Sequence, residues 1–173
     1  MLRRFCAGDV EPFHAYRSDA GLAVYQGWSA MSLDDARRFV SEMAAVAALP
    51  AGDWVQLAVA DPASNALLGD LGLYLDPDAA AAEIGFTLSR SAQGRGHATR
   101  AVGMASAIAF AVTAVGSVRA VTDARNTGSI AVLERAGFTR TAVREVIFKG
   151  EPCTELVYVR ARVAGAPHRH EDR

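Results

Sequence analysis

The chain has 173 residues and a formal net charge of −1, so one domain with a sizeable core is expected, and nothing draws it to nucleic acid or a membrane surface. Hydrophobic residues make up 51% and charged residues 21%, a balance that excludes a disordered chain and fits a globular one. Cys6 and Cys153 stand far apart, in neither a CxxC nor a metal-ligand spacing, and the N-terminus lacks a secretory apolar run, so inert thiols in a reducing cytoplasm are expected.

In chain order, residues 2–6 read as a short edge strand, and 11–28 and 32–48 as two helices. Ser32 followed by Asp34 and Asp35 is a capping signal, with negative charge in the first turn. Ala36, Phe39, Met43 and Val46 follow at spacings of three and four, which makes one apolar stripe. Pro50-Ala51-Gly52-Asp53 breaks the pattern. Strands are then predicted over 54–60 and 66–75, joined through Asp61-Pro62-Ala63-Ser64-Asn65. Leu71, Leu73 and Leu75 alternate there with Gly72 and Tyr74, and Asp76-Pro77-Asp78 ends the run before a strand over 82–88.

A glycine loop, Gln93 to Thr99, opens a long helix that begins near His97. The uncharged, alanine-rich run 101–118 is flanked by arginines and reads as a helix lying on a sheet rather than as a membrane span. Ala101, Ala105 and Ala109 allow close approach. A strand at 118–123 follows, then a short helix at 129–136 closed by Gly137 in a C-cap position. Strands at 138–148 and 154–162 flank Lys149-Gly150-Glu151-Pro152. Residues 1–164 form a single domain in this reading, and the polar stretch 165–173 is a disordered tail whose His168 and His170 are solvated rather than metal-binding. Antiparallel hairpins beside strand–helix–strand crossovers predict an α/β (α+β) domain, with a mixed sheet of six to seven strands and helices on both faces.

Gln93-Gly94-Arg95-Gly96-His97-Ala98-Thr99 is the most informative stretch. A glycine-opened backbone at a helix start points several N–H groups at one spot, and the helix dipole adds positive potential, so the loop suits a phosphate or pyrophosphate. A P-loop would need Lys then Ser or Thr after the second glycine, where His97 and Ala98 stand. A dinucleotide fingerprint would need a third small residue where Thr99 stands.

The loop resembles the Q/R-x-x-G-x-G/A signature of the GCN5-related N-acetyltransferases (GNAT). A second segment supports the likeness: Asn126-Thr127-Gly128-Ser129, then Val132-Leu133-Glu134-Arg135-Ala136-Gly137-Phe138, which is similar to that family's later N-x-x-S and E-K/R-x-G-F element. Tyr16-Arg17-Ser18-Asp19 and Tyr25-Gln26-Gly27-Trp28 look like the subgroup that acetylates ribosomal-protein N-termini and related amines. The resemblance implies a GNAT fold with a splayed cofactor cleft and acetyl-CoA as donor substrate. It implies transfer of acetyl to a primary amine, with no metal, nucleic acid or membrane partner. Implied cofactor contacts are Phe86, Thr87 and Leu88 on the strand, Gln93, Gly94, Arg95, Gly96, His97, Ala98 and Thr99 in the loop, and Asn126 and Ser129 beyond it. It also admits a homodimer, to which the terminal strand pair would contribute.

Attack on a thioester needs a neutral amine, and at pH 7 deprotonation costs about 4–5 kcal/mol for a lysine-like amine but only about 1–1.5 kcal/mol for an α-amine. Glu83 is the first candidate base, acting through water, with Asp70 second; their alternatives are an arginine pairing and a solvent-facing strand position. Many family members carry Tyr where Leu133 stands, so the general acid passes to Ser129 or to water. Asn126 bonds cofactor or substrate, or simply turns the chain into the helix. A backbone N–H near Phe86 or Thr87 serves the oxyanion. No His stands in recognisable relation to Cys6 or Cys153, which argues against an acyl-cysteine. Arg90, Arg95 and Arg100 add phosphate charge or stay on the surface, and Tyr16, Tyr25, Trp28 and Trp54 line the acceptor side or pack in the core. The alternative reading at this point is a non-catalytic acyl-CoA-binding module.

Overall fold

A computed structural model describes residues 1–78 and 80–163 of the chain. Its strands are β1 (Leu2–Arg3), β2 (Trp54–Ala60), β3 (Leu67–Leu75), β4 (Ala81–Leu88), β5 (Ser117–Asp123), β6 (Thr139–Phe148) and β7 (Glu151–Ala161). They form one sheet in the order β1-β2-β3-β4-β5-β7-β6. All neighbours are antiparallel except β4 and β5, which helix α4 (His97–Val112) connects, as a parallel pair requires a crossover. The expected mixed α/β sheet with helices on both faces is present, with seven strands where six to seven were anticipated. The anticipated tail, with His168 and His170, lies outside the described residues.

Strand alternation sorts the side chains. Val59, Leu71, Leu73, Leu75, Ala82, Ile84 and Leu88 project to the face covered by α4 and α5 (Thr127–Arg135), where Ala101, Ala105 and Ala109 are buried against them. These alanines let α4 lie close to the sheet. The opposite face carries α1 (Val10–Arg17) and α3 (Leu33–Ala45), whose Phe13, Tyr16, Ala36 and Val40 enclose a second core with Phe5 and Ala58. The Phe13 and Phe39 rings stack there at 5.1 Å.

Several boundaries differ from the sequence expectation. The single helix expected over 11–28 is two: α1, then the short α2 (Ala20–Ala23). Asp19 causes the break, because its carboxylate accepts from the amides of Gly21 and Leu22 and caps a new start. Ser32 caps α3 as anticipated, accepting from Asp35 N, but α3 stops at Ala45. The uncharged run does not stay helical to 118, for Thr113 ends α4 and β5 begins at Ser117. Only Leu2–Arg3 of the expected 2–6 strand pairs. β7 starts three residues before the expected 154, because a two-residue turn suffices: Lys149 (φ 51°) and Gly150 (φ 85°) are both left-handed, as a type I′ hairpin needs. Gly137 (φ 83°) does close α5, with Phe138 N donating to Leu133 O and Gly137 N to Glu134 O, a Schellman end whose apolar pair is Leu133 and Phe138.

β4 and β5 pair over only three positions, ending at Glu83↔Arg119. Beyond it the residues 84–88 keep their β3 partners but have none on the β5 side. The strands diverge, and an open backbone edge runs toward the glycine loop.

Candidate active site

Gln93 sits at the mouth of this opening, and its side-chain amide donates to Leu88 O at 3.1 Å, fastening the loop to the end of β4. Gly94 (φ 73°) and Gly96 (φ 75°) are left-handed, and Gly96 caps α4. The bond from Arg100 N to Gly96 O is the first of the helix, and among the described residues the amides of 94–99 donate to no protein acceptor. Six N–H groups at the positive end of a sixteen-residue helix thus lie free for an anion.

A cleft of about 460 Å³ joins this loop to the splayed strands. Phe86, Thr87, Leu88, Gln93, Gly94, Gly96, His97, Ala98 and Thr99 line it from one side, and Asn126 and Ser129 from the other. Of the residues singled out for the cofactor, Arg95 alone is outside the lining. Arg100 reaches back to Arg95 O and His97, and Arg90 pairs with Asp19 at 2.5 Å, holding that carboxylate down at about 2. Asn126 caps α5: its Oδ1 accepts from Ser129 N at 3.1 Å. Leu133 is buried in the core, 1% exposed, so neither its chemistry nor its position suits proton transfer.

The segment from α2 to Trp28 crosses the cleft. Gly21, Leu22, Tyr25 and Gln26 line it, and Gln26 Nε2 reaches Phe86 O on the open edge at 3.4 Å. The far end of the segment is held by Lys149 Nζ, which donates to Ala23 O (2.9 Å) and Trp28 O (2.8 Å). Arg125 lies over the Tyr25 ring at 5.9 Å and clasps Asp123, which its guanidinium holds far below the usual carboxylate range.

On the α1–α3 face, cross-strand register sets three rows. Trp54, Tyr74, Glu83 and Arg119 form the first, ending where β4 and β5 part. Gln56, Gly72 and Gly85 form the second, and Ala58, Asp70 and Thr87 the third. A Cβ on Gly72 would meet Gln56 Nε2 at 2.6 Å and the Trp54 ring at 2.9 Å, so those side chains lie across it. A Cβ on Gly85 would meet nothing within 4 Å. The result is a hollow over Gly85, between Glu83 and Thr87, beside the open edge.

Glu83 does not line the cleft itself; it accepts from Arg119 Nε at 2.6 Å, and Arg119 also reaches Asp76 at 3.3 Å. Asp70 is not solvent-facing, as its alternating strand suggested, but 2% exposed. Tyr16 donates to its Oδ1 at 2.7 Å and Arg17 to its Oδ2 at 2.5 Å. Burial, and then the Asp70 charge, push the Tyr16 hydroxyl well above its ordinary value. Tyr16 is therefore core, whereas Tyr25 belongs to the cleft and Trp28 stacks on the Arg17 guanidinium at 4.5 Å. Gly85 and Gln56, which shape the hollow, were missed by sequence reasoning. For Gly85 a signal existed, since isolated glycine inside a strand marks a close approach.

The family model described as Acetyltransferase (GNAT) domain matches residues 1–139. The chain belongs to the GNAT acetyltransferase family. It is accordingly an acetyl-CoA-dependent acyltransferase. Solved GNAT structures share the fold. An acetyltransferase of the family from Bacillus anthracis is 22% identical, with a TM-score of 0.80 over 92% of this chain and 93% of that one. A ribosomal L7/L12 α-N-protein acetyltransferase in complex with coenzyme A is 19% identical, with a TM-score of 0.77 over 92% of each chain. The spermidine N-acetyltransferase from Vibrio cholerae, in complex with CoA and spermine, is 18% identical, with a TM-score of 0.76 over 93% and 94%. Among curated proteins no match is found. Among the described residues of this GNAT enzyme, no helix is long and apolar enough to cross a membrane, and no cluster of metal-ligating side chains occurs.

Proposed function

We propose that this GNAT enzyme transfers acetyl directly from acetyl-CoA to a primary amine seated over Gly85, the α-amine of a peptide or a small amine, within a ternary complex. The observation that carries this reading is the end of β4–β5 pairing at Glu83↔Arg119, which leaves an open edge leading from the unbonded loop amides to the Gly85 hollow. The free backbone groups over 84–88 suit an extended polar arm that binds as an added strand would. Phe86, Thr87, Leu88, Asn126 and Ser129 flank that arm, and the Gln93–Thr99 loop takes the pyrophosphate.

In this mechanism the amine lone pair attacks the thioester carbonyl, and a backbone N–H near Phe86 or Thr87 steadies the oxyanion. Glu83, oriented by its bond from Arg119, takes the amine proton through water. Collapse expels the thiolate, which takes a proton from solvent relayed through the Ser129 hydroxyl on the opposite wall, the hydroxyl regaining its own proton from water. The chain's likeness to both an α-N-protein and a spermidine acetyltransferase, at similar identity, supports an amine acceptor without choosing between them. The test is thiol release from acetyl-CoA across peptides with free N-termini and small amines. Turnover with saturable amine dependence is expected; acetyl-CoA binding with no turnover on any amine would overturn the proposal.

A further inference from the structure

A second cavity, of about 410 Å³, opens at the opposite end of α4 from the glycine loop. Val55, Leu57 and Leu73 of the sheet line it, with Ile108 and Val112 of α4 beside them and Arg4 at its edge. Leu57 is only half-buried, and Val112 is 65% exposed. α4 carries no charged residue after Arg100, and Met104, Ile108 and Val112, four apart, make an exposed apolar row along its outer side. The outward face of a helix packed on a sheet is ordinarily polar, so this row fits an apolar body better than water. The polar groups of the cavity are few. Thr113 Oγ1 donates to Ala109 O and accepts from Val115 N, so its hydroxyl is spent within the chain. Arg4 Nη2 donates to Ala47 O at 2.9 Å, a bond that fixes the guanidinium at the edge and leaves its further N–H groups to offer. Among the described residues no carboxylate pairs with it. The one charged side chain of the lining is therefore positive and uncompensated.

We propose that this cavity is a second ligand site, for an aliphatic carboxylate whose chain lies along Leu57 and Leu73 and whose head group pairs with Arg4. Charge complementarity chooses the head. A planar guanidinium takes a carboxylate through two parallel bonds, which favours it over an alcohol and excludes an amine. The apolar lining chooses the body, since burying methylenes there also covers Leu57, Ile108 and Val112. The volume falls in the range of small-molecule sites, about 300–1,000 Å³, which typically combine an apolar wall with a few placed polar groups. No residue of this cavity lines the cleft beside the glycine loop, so the site stands apart from the acyl-transfer chemistry.

The experiment is isothermal titration of the enzyme with hexanoate, octanoate and decanoate, and with octan-1-ol as the uncharged control. Saturable one-to-one binding is expected, tightening by up to about fourfold per added methylene while room remains. Octanol should bind about fivefold more weakly than octanoate, and Arg4→Gln should erase that difference. Val112→Glu sets a carboxylate at the lip and should weaken octanoate at least about tenfold. Its exposed position predicts an unchanged Tm and an unchanged acetyl-CoA affinity, which separates the effect from a folding defect. Saturating coenzyme A should leave octanoate binding as it was. No saturable binding, or equal affinity for octanol and octanoate in the wild type, would overturn the proposal. Competition by coenzyme A would also overturn it, by putting the chain in the other cleft. Sedimentation velocity supplies the last arm. A dimer that Val112→Glu dissociates, into a monomer that binds no octanoate, would give this surface to a second copy of the chain instead.

Discussion

Lys149 Nζ donates to the main-chain carbonyl of Trp28 at 2.8 Å, so the only lysine of the chain joins the β6–β7 turn to the segment crossing the cleft. The same ammonium also bonds Ala23 O. Lys149 sits in the left-handed region, which Asn tolerates, so Lys149→Asn removes the clamp and keeps the turn. Two partly exposed charge-assisted bonds suggest a loss of about 1–2 kcal/mol, a fall of roughly 3–6 °C in Tm. The KM for acetyl-CoA should rise as well, because Tyr25 and Gln26 line the cleft on that segment. Melting curves and donor titration check both.

Gly96 separates conformation from charge. Its nearest prospective Cβ neighbour is Arg100 Nη1 at 3.7 Å, so Gly96→Ala meets no clash and suffers only the left-handed backbone, about 1–2 kcal/mol. Gly96→Asp adds a carboxylate where six amides await an anion. Isothermal titration should find acetyl-CoA affinity weakened severalfold by Ala and at least a hundredfold by Asp, at similar stability.

Glu83→Gln preserves shape but removes the charge beside Arg119. The expected result is a lower kcat with acetyl-CoA affinity nearly unchanged. The drop should be larger for an amine near pKa 10.4 than for an α-amine near 8, since only the former needs much help losing its proton. Equal rates for wild type and variant on a lysine-like acceptor would remove Glu83 from the chemistry.

Asp70→Asn strands the buried Arg17 guanidinium, whose ion partner is 2% exposed. Breaking one side of such a pair costs about 3–5 kcal/mol. Denaturant unfolding should register that loss, and the Tm should fall by about 10 °C.

Alkaline stability follows from two groups. Burial and then the neighbouring Asp123 raise the Cys153 thiol above 9.0, and burial with Asp70 raises Tyr16 well above 10.0. Above those ordinary values the unfolded chain releases protons that the folded one retains, so stability declines as pH rises. The decline begins near pH 9 with Cys153 and steepens near pH 10 with Tyr16. Melts of Cys153→Ala across pH 8–10 should show the first slope abolished; an unchanged slope would discount the thiol.

The loop side of the candidate site was legible because it is local. Gly94 and Gly96 announce left-handed backbone, and the alanines of α4 announce close packing, without reference to any distant residue. Ser32 and Gly137 likewise mark helix ends through their own capping chemistry. The side around Gly85 was not, because it depends on register between strands remote in sequence. Asp70 looked like the polar side of an alternating strand, and only α1 folding back over β3 makes that position interior. Glu83 read as a base or as the partner of some arginine, and only the parallel pairing with β5 makes that arginine Arg119.

Sequence alone thus determined the order of the strands, the glycine loop and the family, since these rest on backbone preference and short-range pattern. The tertiary structure decided where β4 and β5 part, which carboxylate is exposed, and that Gly72 and Gly85 lie side by side. Those properties belong to pairs of segments, and burial and cross-strand register exist only once the pairs have met.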